Sequence, residues 1–228
     1  MANFPGQISD WILHKDNQIV VFNKPNGLPI QPDRSGNADL LSLGAAYAHH
    51  DLYLVHRLDR PVSGVVVLGQ KAGAQTELTH QFKAGTVGKQ YLAVVGERPA
   101  RDADTLVHFL KNDSGNRSAA SDTEVTGARR AELDYRYLAS SERYHLLAVT
   151  LKTGRKHQIR AQLAAIGCPV RGDRKYGFKR SNPGGSIDLH AYRLSFQHPG
   201  SGAPVSYVAP PPEGPVWRAF AEAIAALG

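Results

Sequence analysis

The sequence predicts an α+β fold with a mixed, mostly antiparallel central sheet flanked by helices and loops. Short apolar runs typical of strands outnumber the helical segments, and many of them are joined by turns that contain Gly or Pro. Of the 228 residues, 42% are hydrophobic and 21% are charged, which is ordinary for a globular protein with a sizeable core. The sequence contains no internal repeat or low-complexity tract. We therefore expect a single domain over residues 1–228.

The first half of the chain is predicted to combine strands with two helices. Strands are expected at residues 18–22, 52–55, 65–68 and 89–95. The first helix, residues 39–47, has Asn37 or Asp39 as its N-terminal cap. The second helix, residues 72–83, ends at Gly85.

The second half continues the same pattern after a polar segment. Asp102–Gly127 is rich in Asp, Ser and Gly, which predicts a long surface loop or insertion. Strands are expected at residues 131–139, 144–151, 187–196 and 204–208. One helix is predicted over residues 155–166, closed by Gly167 and Pro169, and a last one over residues 215–227.

Composition excludes several classes of protein. The single cysteine, Cys168, rules out an intramolecular disulfide framework and a cysteine-rich metal cluster, and we expect it to be a buried small hydrophobe. No apolar run reaches the roughly 20 residues that cross a bilayer. Residues 1–9 lack the charged-then-apolar layout of a signal peptide. We therefore expect a cytoplasmic protein without a membrane partner.

The net charge of +7 is concentrated in one segment, residues 152–180. Its basic residues are Lys152, Arg155, Lys156, Arg160, Arg171, Arg174, Lys175, Lys179 and Arg180. Asp173 is its one acidic residue, so the rest of the chain is close to neutral. Such a segment indicates either a polyanionic partner such as RNA or a solvated basic face, and charge alone does not choose between them.

The first motif is the run His-Arg-Leu-Asp-Arg-Pro-Val-Ser-Gly at residues 56–64, placed between two apolar stretches. Along an extended strand, Arg57 and Asp59 project from the same face. A carboxylate between two arginines at the end of a strand is a candidate for chemistry. The alternative is an Asp that caps a turn beside solvated arginines.

The second motif is Thr-Gly-Arg-Lys-His-Gln-Ile-Arg at residues 153–160, followed by Gly-Asp-Arg-Lys-Tyr-Gly at residues 172–177. On the predicted helix, Lys156 and Arg160 share one face and the apolar residues Ile159 and Leu163 another. By itself this pattern also fits an amphipathic helix with a solvated basic side.

Together the two motifs resemble the RluA family of RNA pseudouridine synthases. The first resembles the family's His-Arg-Leu-Asp loop, which implies that Asp59 is the catalytic nucleophile. The second resembles the family's Gly-Arg-x-His-Gln-Ile-Arg helix, which implies a salt bridge from Arg160 to Asp59. Such a guanidinium would keep the carboxylate ionised and oriented, which a lysine could not do with the same planar fork. Lys-Gln-Tyr-Leu-Ala at residues 89–93 resembles the strand whose tyrosine stacks on the target uracil, which assigns Tyr91.

Two further segments match the family more weakly. Lys24-Pro25-Asn26-Gly27 resembles the first family motif, which mostly shapes the fold near the site. Leu-His-Ala at residues 189–191 resembles the last strand, where His190 is expected to be structural.

The resemblance implies the pseudouridine synthase fold and an isomerase acting on uridines in structured ribosomal or transfer RNA. It requires no metal or other cofactor. The target nucleotide must leave the base stack, and Arg57 resembles the arginine that enters the vacated space. The candidate RNA-binding residues are Arg57, Arg60, Arg155, Lys156, Arg171 and Lys175. We expect a monomeric, compact member of the family without the additional N-terminal RNA-binding domain of larger members.

Two other functions would account for part of the sequence. A metal-dependent hydrolase could use His56, Asp59, His157 and Asp173. However, no His-x-x-x-His pair is present for such a site, and the cationic surroundings would repel a divalent ion. A non-catalytic RNA-binding module would need the basic surface but not an Asp paired with an Arg.

Overall fold

The computed structural model describes residues 4, 6–33, 36–113, 115 and 117–228. It divides into two compact units. The first unit comprises the described residues of Met1–Lys89 together with Ala191–Pro211, and the second comprises Gln90–His190 together with Pro212–Gly228. The expectation of a single domain stays a prediction.

The described residues form eleven strands and five α-helices. The strands are β1 (Ile12–Lys15), β2 (Ile19–Lys24), β3 (Tyr53–Leu54), β4 (Ser63–Gly69), β5 (Gly88–Val95), β6 (Ala103–Asn112), β7 (Ser118–Ser121), β8 (Arg129–Ser140), β9 (His145–Leu151), β10 (Leu189–Gln197) and β11 (Pro204–Val208). The helices are α1 (Leu40–Ala48), α2 (Ala72–Ala84), α3 (Gln158–Ala165), α4 (Pro215–Arg218) and α5 (Ala221–Ala225). No helix among the described residues is long and apolar enough to cross a membrane.

In the first unit, β2 and β4 form the buried centre. Strand β2 pairs with β1 on one side and with β4 on the other, and the short β3 also pairs with β4, all antiparallel. Helix α2 is fastened to the end of β10 by the side chain of Gln81, which donates to the Gln197 carbonyl at 2.8 Å and accepts from the Gln197 N–H at 2.9 Å. The predicted helix ends are confirmed, since Asp39 caps α1 by accepting the Ser42 N–H and Gly85 ends α2.

In the second unit, the antiparallel order is β5–β9–β8–β6–β7. The prediction that Asp102–Gly127 is a surface loop or insertion is therefore wrong for most of this segment, which contains β6 and β7. Leu106, His108 and Leu110 are buried, whereas Thr105 and Val107 beside them are exposed, so the segment follows the period-two pattern of a half-buried strand. With these strands, the α+β fold and its mostly antiparallel sheet are confirmed.

Three other predicted elements differ from the structure. The helix expected over residues 215–227 is two short helices, because Phe220 leaves the helical conformation between α4 and α5 with its side chain buried. The strand expected over residues 52–55 is only the two-residue β3, and the helix expected from Arg155 begins at Gln158. Cys168 is buried as predicted.

Candidate active site

Asp59 lies in an irregular segment between β3 and β4. Regular strand pairing stops at Leu54, so the extended geometry used to place Arg57 and Asp59 on one face does not come from a paired strand. The alternation of exposure nevertheless persists, with Leu58 buried, Asp59 half-buried and Arg57 exposed. The Val62 N–H donates to the Asp59 carbonyl at 3.0 Å and closes a tight turn immediately after the carboxylate. Arg57 and Asp59 are thus both accessible on a loop whose backbone is fixed.

His56 explains why strand pairing ends where it does. Its Nε2 atom accepts the Val67 N–H at 3.1 Å, so a side chain occupies a backbone donor of β4. The imidazole also stacks on Phe82, with ring centroids 4.5 Å apart. Burial lowers the pKa of His56 to about 3, assisted by the positive charge of Lys89. His56 is therefore a neutral structural residue that holds the Asp59 loop on β4.

On its other side, the Asp59 turn is fastened by Lys24. This lysine is completely buried, and its Nζ donates to the carbonyls of Pro25 and Leu28 at 2.9 Å and of Arg60 at 3.4 Å. Burial lowers the pKa of Lys24 to about 7, while the charge of Asp59 opposes that shift and the charge of Arg60 adds to it. Lys24 thus joins the turn that follows β2 to the turn that carries Asp59, and it places a titratable amine close enough to interact with Asp59.

The glycine that ends the motif is required by close packing. Gly64 has φ of +114°, and a Cβ atom there would lie 2.2 Å from the Ala191 carbonyl oxygen of β10. No other residue fits this position without moving backbone. The end of the loop is therefore fixed against β10 as well as against β2 and β4.

In the second unit, Tyr91 lies on β5 opposite Val149 of β9 and is half-buried. The residues that follow it, Leu92–Val95, are fully buried in the sheet. Tyr91 is thus placed where the strand leaves the core, with part of its side chain accessible, and its stacking on a uracil stays a prediction.

Arg160 is buried in α3 and forms a bidentate ion pair with Asp173. Its Nε donates to Asp173 Oδ2 at 2.6 Å and its Nη2 to Oδ1 at 3.0 Å. The guanidinium carbon also lies 4.9 Å from the centre of the Tyr176 ring. The pairing of Arg160 with Asp59 that the resemblance implies stays a prediction.

Helix α3 begins later than predicted because the residues before it are held in a loop. His157 has φ of 53°, and its Nδ1 lies 2.9 Å from the Tyr176 hydroxyl. The Gln158 side chain accepts from the Arg155 N–H at 2.9 Å and donates to the Glu132 carbonyl at 3.0 Å. Lys156 therefore precedes the helix and does not share a helical face with Arg160, which corrects the predicted spacing.

The six candidate RNA-binding residues fall into two groups. Arg57, Arg155, Lys156 and Lys175 are exposed. The side chain of Arg60, although exposed, is directed to the Gly27 carbonyl and to Asp33, at 3.0 and 3.3 Å. Arg171 is paired with Asp188 and lies over the ring of Tyr144.

The structure adds basic residues that sequence reasoning missed. Arg117 lies 5.1 Å over the Tyr176 ring, and the Arg130 carbonyl accepts from Arg155 Nε at 3.1 Å. Ser118 Oγ donates to the Lys156 carbonyl at 2.8 Å, which joins β7 to the loop before α3. Arg174 and Lys175 directly precede Tyr176 in the chain. We call the exposed basic residues of these segments the basic surface: Arg117, Arg130, Arg155, Lys156, Arg174 and Lys175. Arg117 lies in the polar segment that was predicted to be a loop, and nothing in that pattern indicated that Arg117 belongs to the basic surface.

Three of the residues considered as metal ligands are engaged elsewhere. Among the described residues, no three His, Cys, Asp or Glu side chains are grouped so that they could hold a metal ion. His56 and His157 accept or share hydrogen bonds within the protein, and Asp173 is engaged by Arg160.

Comparison with known proteins shows which family the chain belongs to. Residues 18–165 match the family model described as RNA pseudouridylate synthase. The chain belongs to this family. It is 35% identical to ribosomal large subunit pseudouridine synthase D of Xylella fastidiosa over 224 residues, which cover 89% of this chain and 66% of that protein. It is 30% identical to the uncharacterized RNA pseudouridine synthase YlyB of Bacillus subtilis, covering 89% of this chain and 69% of that one.

A third relative is named for a different RNA. The chain is 31% identical to tRNA pseudouridine synthase C of Pectobacterium carotovorum, covering 86% of this chain and 57% of that protein. The chain thus spans between 57% and 69% of the length of these three relatives.

Solved structures of this family share the fold. Human RNA Pseudouridylate Synthase Domain Containing 4 superposes with a TM-score of 0.75 at 23% identity, covering 96% of this chain and 94% of that one. Human RNA Pseudouridylate Synthase Domain Containing 1 gives a TM-score of 0.74 at 22% identity, covering 93% and 88%. The predicted pseudouridine synthase fold is confirmed.

Proposed function

We propose that this protein is an RNA pseudouridine synthase, an isomerase that converts specific uridines in structured RNA to pseudouridine. The observation that carries the proposal is that Asp59, Tyr91 and Arg160 all fall inside the span that matches the family, residues 18–165. The substrate is ribosomal RNA, transfer RNA or both, since relatives are named for each. We propose that the enzyme works in the cytoplasm as a monomer.

The local geometry supports a distinct role for each residue. The target uridine leaves the stack, and Arg57, exposed beside Asp59, enters the vacated space. Asp59 then attacks carbon 1 of the ribose or carbon 6 of the base, or it removes a ribose proton to give a glycal. The uracil is released, turned and rejoined through its carbon 5, with Tyr91 stacked on the ring. Arg160 keeps the Asp59 carboxylate ionised and oriented.

The reaction is an isomerisation and therefore needs no external atoms or electrons. We accordingly propose that neither a metal ion nor another cofactor takes part. The RNA backbone is bound by Arg57 and by the basic surface, whose exposed guanidinium and ammonium groups suit phosphate.

The test uses pseudouridine mapping and one substitution. RNA from cells with and without the gene is mapped to find the cognate site, and a stem-loop carrying that site is treated with purified protein. Asp59→Asn should abolish pseudouridine formation and leave the RNA dissociation constant within about threefold. Asp51→Asn, which removes an exposed carboxylate of the same unit, is the control and should keep wild-type turnover.

The alternative, a non-catalytic RNA-binding module, predicts a different result. In that case the purified wild-type protein binds the stem-loop and forms no pseudouridine. Substantial turnover by Asp59→Asn would instead show that another group is the nucleophile.

A further inference from the structure

The turn at residues 172–177, which sequence analysis singled out as a motif, has no role in the reaction as proposed above. We propose that Asp173 is a positioning residue that fixes the guanidinium plane of Arg160. In this way it sets the direction in which Arg160 presents its other N–H donors. The inference rests on the proposed function, because it gives Arg160 a partner that orients it for that reaction.

The ion pair between Asp173 and Arg160 is almost completely shielded from solvent. The side chains are 2% and 6% exposed. Both Asp173 oxygens accept from Arg160, which uses Nε and Nη2 along one edge of the guanidinium. An arginine has five N–H donors in a rigid plane, so fixing one edge fixes the direction of the others.

Tyr176 constrains the same guanidinium from a second direction. Its ring centre lies 4.9 Å from the Arg160 guanidinium carbon. The ring is itself held through its hydroxyl, which accepts the Ser118 N–H at 2.8 Å and contacts His157 Nδ1 at 2.9 Å. The two contacts together leave Arg160 little freedom to tilt or slide.

The turn that carries Asp173 is anchored to the strand that carries Tyr91. The Arg171 N–H donates to the Val94 carbonyl at 2.8 Å, and the Val94 N–H donates to the Asp188 carbonyl at 2.9 Å. Gly172 has φ of +86°, and a Cβ atom there would lie 2.7 Å from Asn182, so the turn packs closely at this point. Asp173 therefore fixes Arg160 in a frame that includes β5.

The experiment is a double-mutant cycle on single-turnover rates with the cognate stem-loop. Asp173→Asn should lower the rate about 10-fold to 100-fold, since a buried hydrogen bond to a charged group is lost, while the RNA dissociation constant changes less than about threefold. Arg160→Lys has already lost the planar fork, so in that background Asp173→Asn should cost less than about threefold. Equal losses in both backgrounds would overturn the proposal, because Asp173 would then act independently of Arg160.

A control separates positioning from loss of fold. Leu133→Ala in β8 removes a fully buried side chain that belongs to neither partner of the ion pair. Assayed well below the melting temperatures of all variants, it should keep the wild-type rate. If Asp173→Asn is not recovered folded, Asp173→Glu takes its place in the cycle, since it keeps the buried charge but displaces the guanidinium.

A second readout does not depend on turnover. The Nε–H of Arg160 should give a resolved, slowly exchanging nuclear magnetic resonance signal in the wild type that is lost in Asp173→Asn. An unchanged signal would contradict the positioning role. A wild-type protein that makes no pseudouridine on any RNA would refute the proposed function and leave this measurement intact.

Discussion

Lys24 shows how a single side chain can organise the turn that carries the candidate nucleophile. An ammonium group has three N–H donors and no acceptor, and here three backbone carbonyls receive them in a site without solvent access. The pKa of about 7 reflects the cost of charge in that site, partly offset by Asp59. Replacing the amine would leave the carbonyls of Pro25, Leu28 and Arg60 without this donor.

We predict that Lys24 makes the folded protein more stable as the pH rises above about 7. The amine binds its proton less tightly in the folded state, where its pKa is about 7, than in the unfolded chain, where it is near 10.5. Between these values the unfolded state holds more protons, so raising the pH stabilises the folded form. The free energy of unfolding should rise relative to Lys24→Met by up to about 1.4 kcal/mol per pH unit.

Urea unfolding of wild type and Lys24→Met at pH 7, 8 and 9 measures this difference. Lys83→Met removes an exposed lysine of α2, and its free energy of unfolding should change with pH as that of the wild type does. If the free energy of unfolding changes equally with pH in the wild type and in Lys24→Met, Lys24 does not titrate in this range.

The sequence pointed to the residues of this turn that differ from an ordinary loop, Arg57 and Asp59, because their charges interrupt an apolar context. It did not show the role of Lys24, because a lysine before a proline looks like any exposed cation until its burial is known. The partner that Arg160 has in Asp173 was missed for a related reason, since the two residues belong to separate elements.

At the scale of elements, the Asp59 loop depends on a side chain that replaces strand pairing. His56 accepts a backbone N–H of β4, so it can do so only while Nε2 is unprotonated. Protonation would remove the acceptor and place a charge in a buried site.

We predict that His56 makes the protein sensitive to acid. Its pKa is about 3 in the folded state and near 6.5 in the unfolded chain, so the unfolded state holds more protons between these values. Stability should therefore fall as the pH drops from 6.5 towards 3. Melting temperatures of His56→Gln, which keeps an acceptor that does not titrate, should change less than those of the wild type over pH 6.5 to 4.5.

The histidine control for this measurement is His80→Gln, an exposed position on α2. It should retain the acid dependence of the wild type. If His56→Gln retains it as well, the loss of stability comes from other groups.

The element predictions succeeded where the local signal was unambiguous and failed where tertiary contacts decide. The cap at Asp39 and the stop at Gly85 are local, and both are confirmed. Strand β6 was missed because the polar composition of the whole segment 102–127 outweighed the short alternation of Leu106, His108 and Leu110 within it. The start of α3 is set by Gln158 contacting Glu132, which no short-range pattern contains.

At the scale of the whole molecule, the excess positive charge is a property of a surface rather than of a segment. Two of the basic residues in the segment 152–180, Arg160 and Arg171, are consumed by internal ion pairs. The basic surface instead includes two residues from outside that segment, Arg117 just before β7 and Arg130 on β8, where Arg130 also pairs with Glu132 at the surface.

We predict that the logarithm of the RNA association constant falls linearly with the logarithm of the salt concentration. Each phosphate contact should contribute a slope of roughly 0.7 to 0.9. Lys156→Gln and Lys175→Gln should each lower the slope by about one contact, whereas Lys83→Gln on α2 should leave it unchanged. The measurement is the dissociation constant of the stem-loop from 50 to 300 mM salt, and a slope that ignores Lys156 and Lys175 would exclude them from the interface.

Residues 191–197 belong to the first unit although most of that unit lies before residue 90, and this affects when the unit can complete its packing. Gln81 reaches its partner Gln197, and Gly64 its neighbour Ala191, only after most of the chain has been translated. The Asp59 loop therefore cannot reach its final packing on a nascent chain that ends before β10. Packing of this loop is therefore a late event, which can follow only the synthesis of residues 191–197.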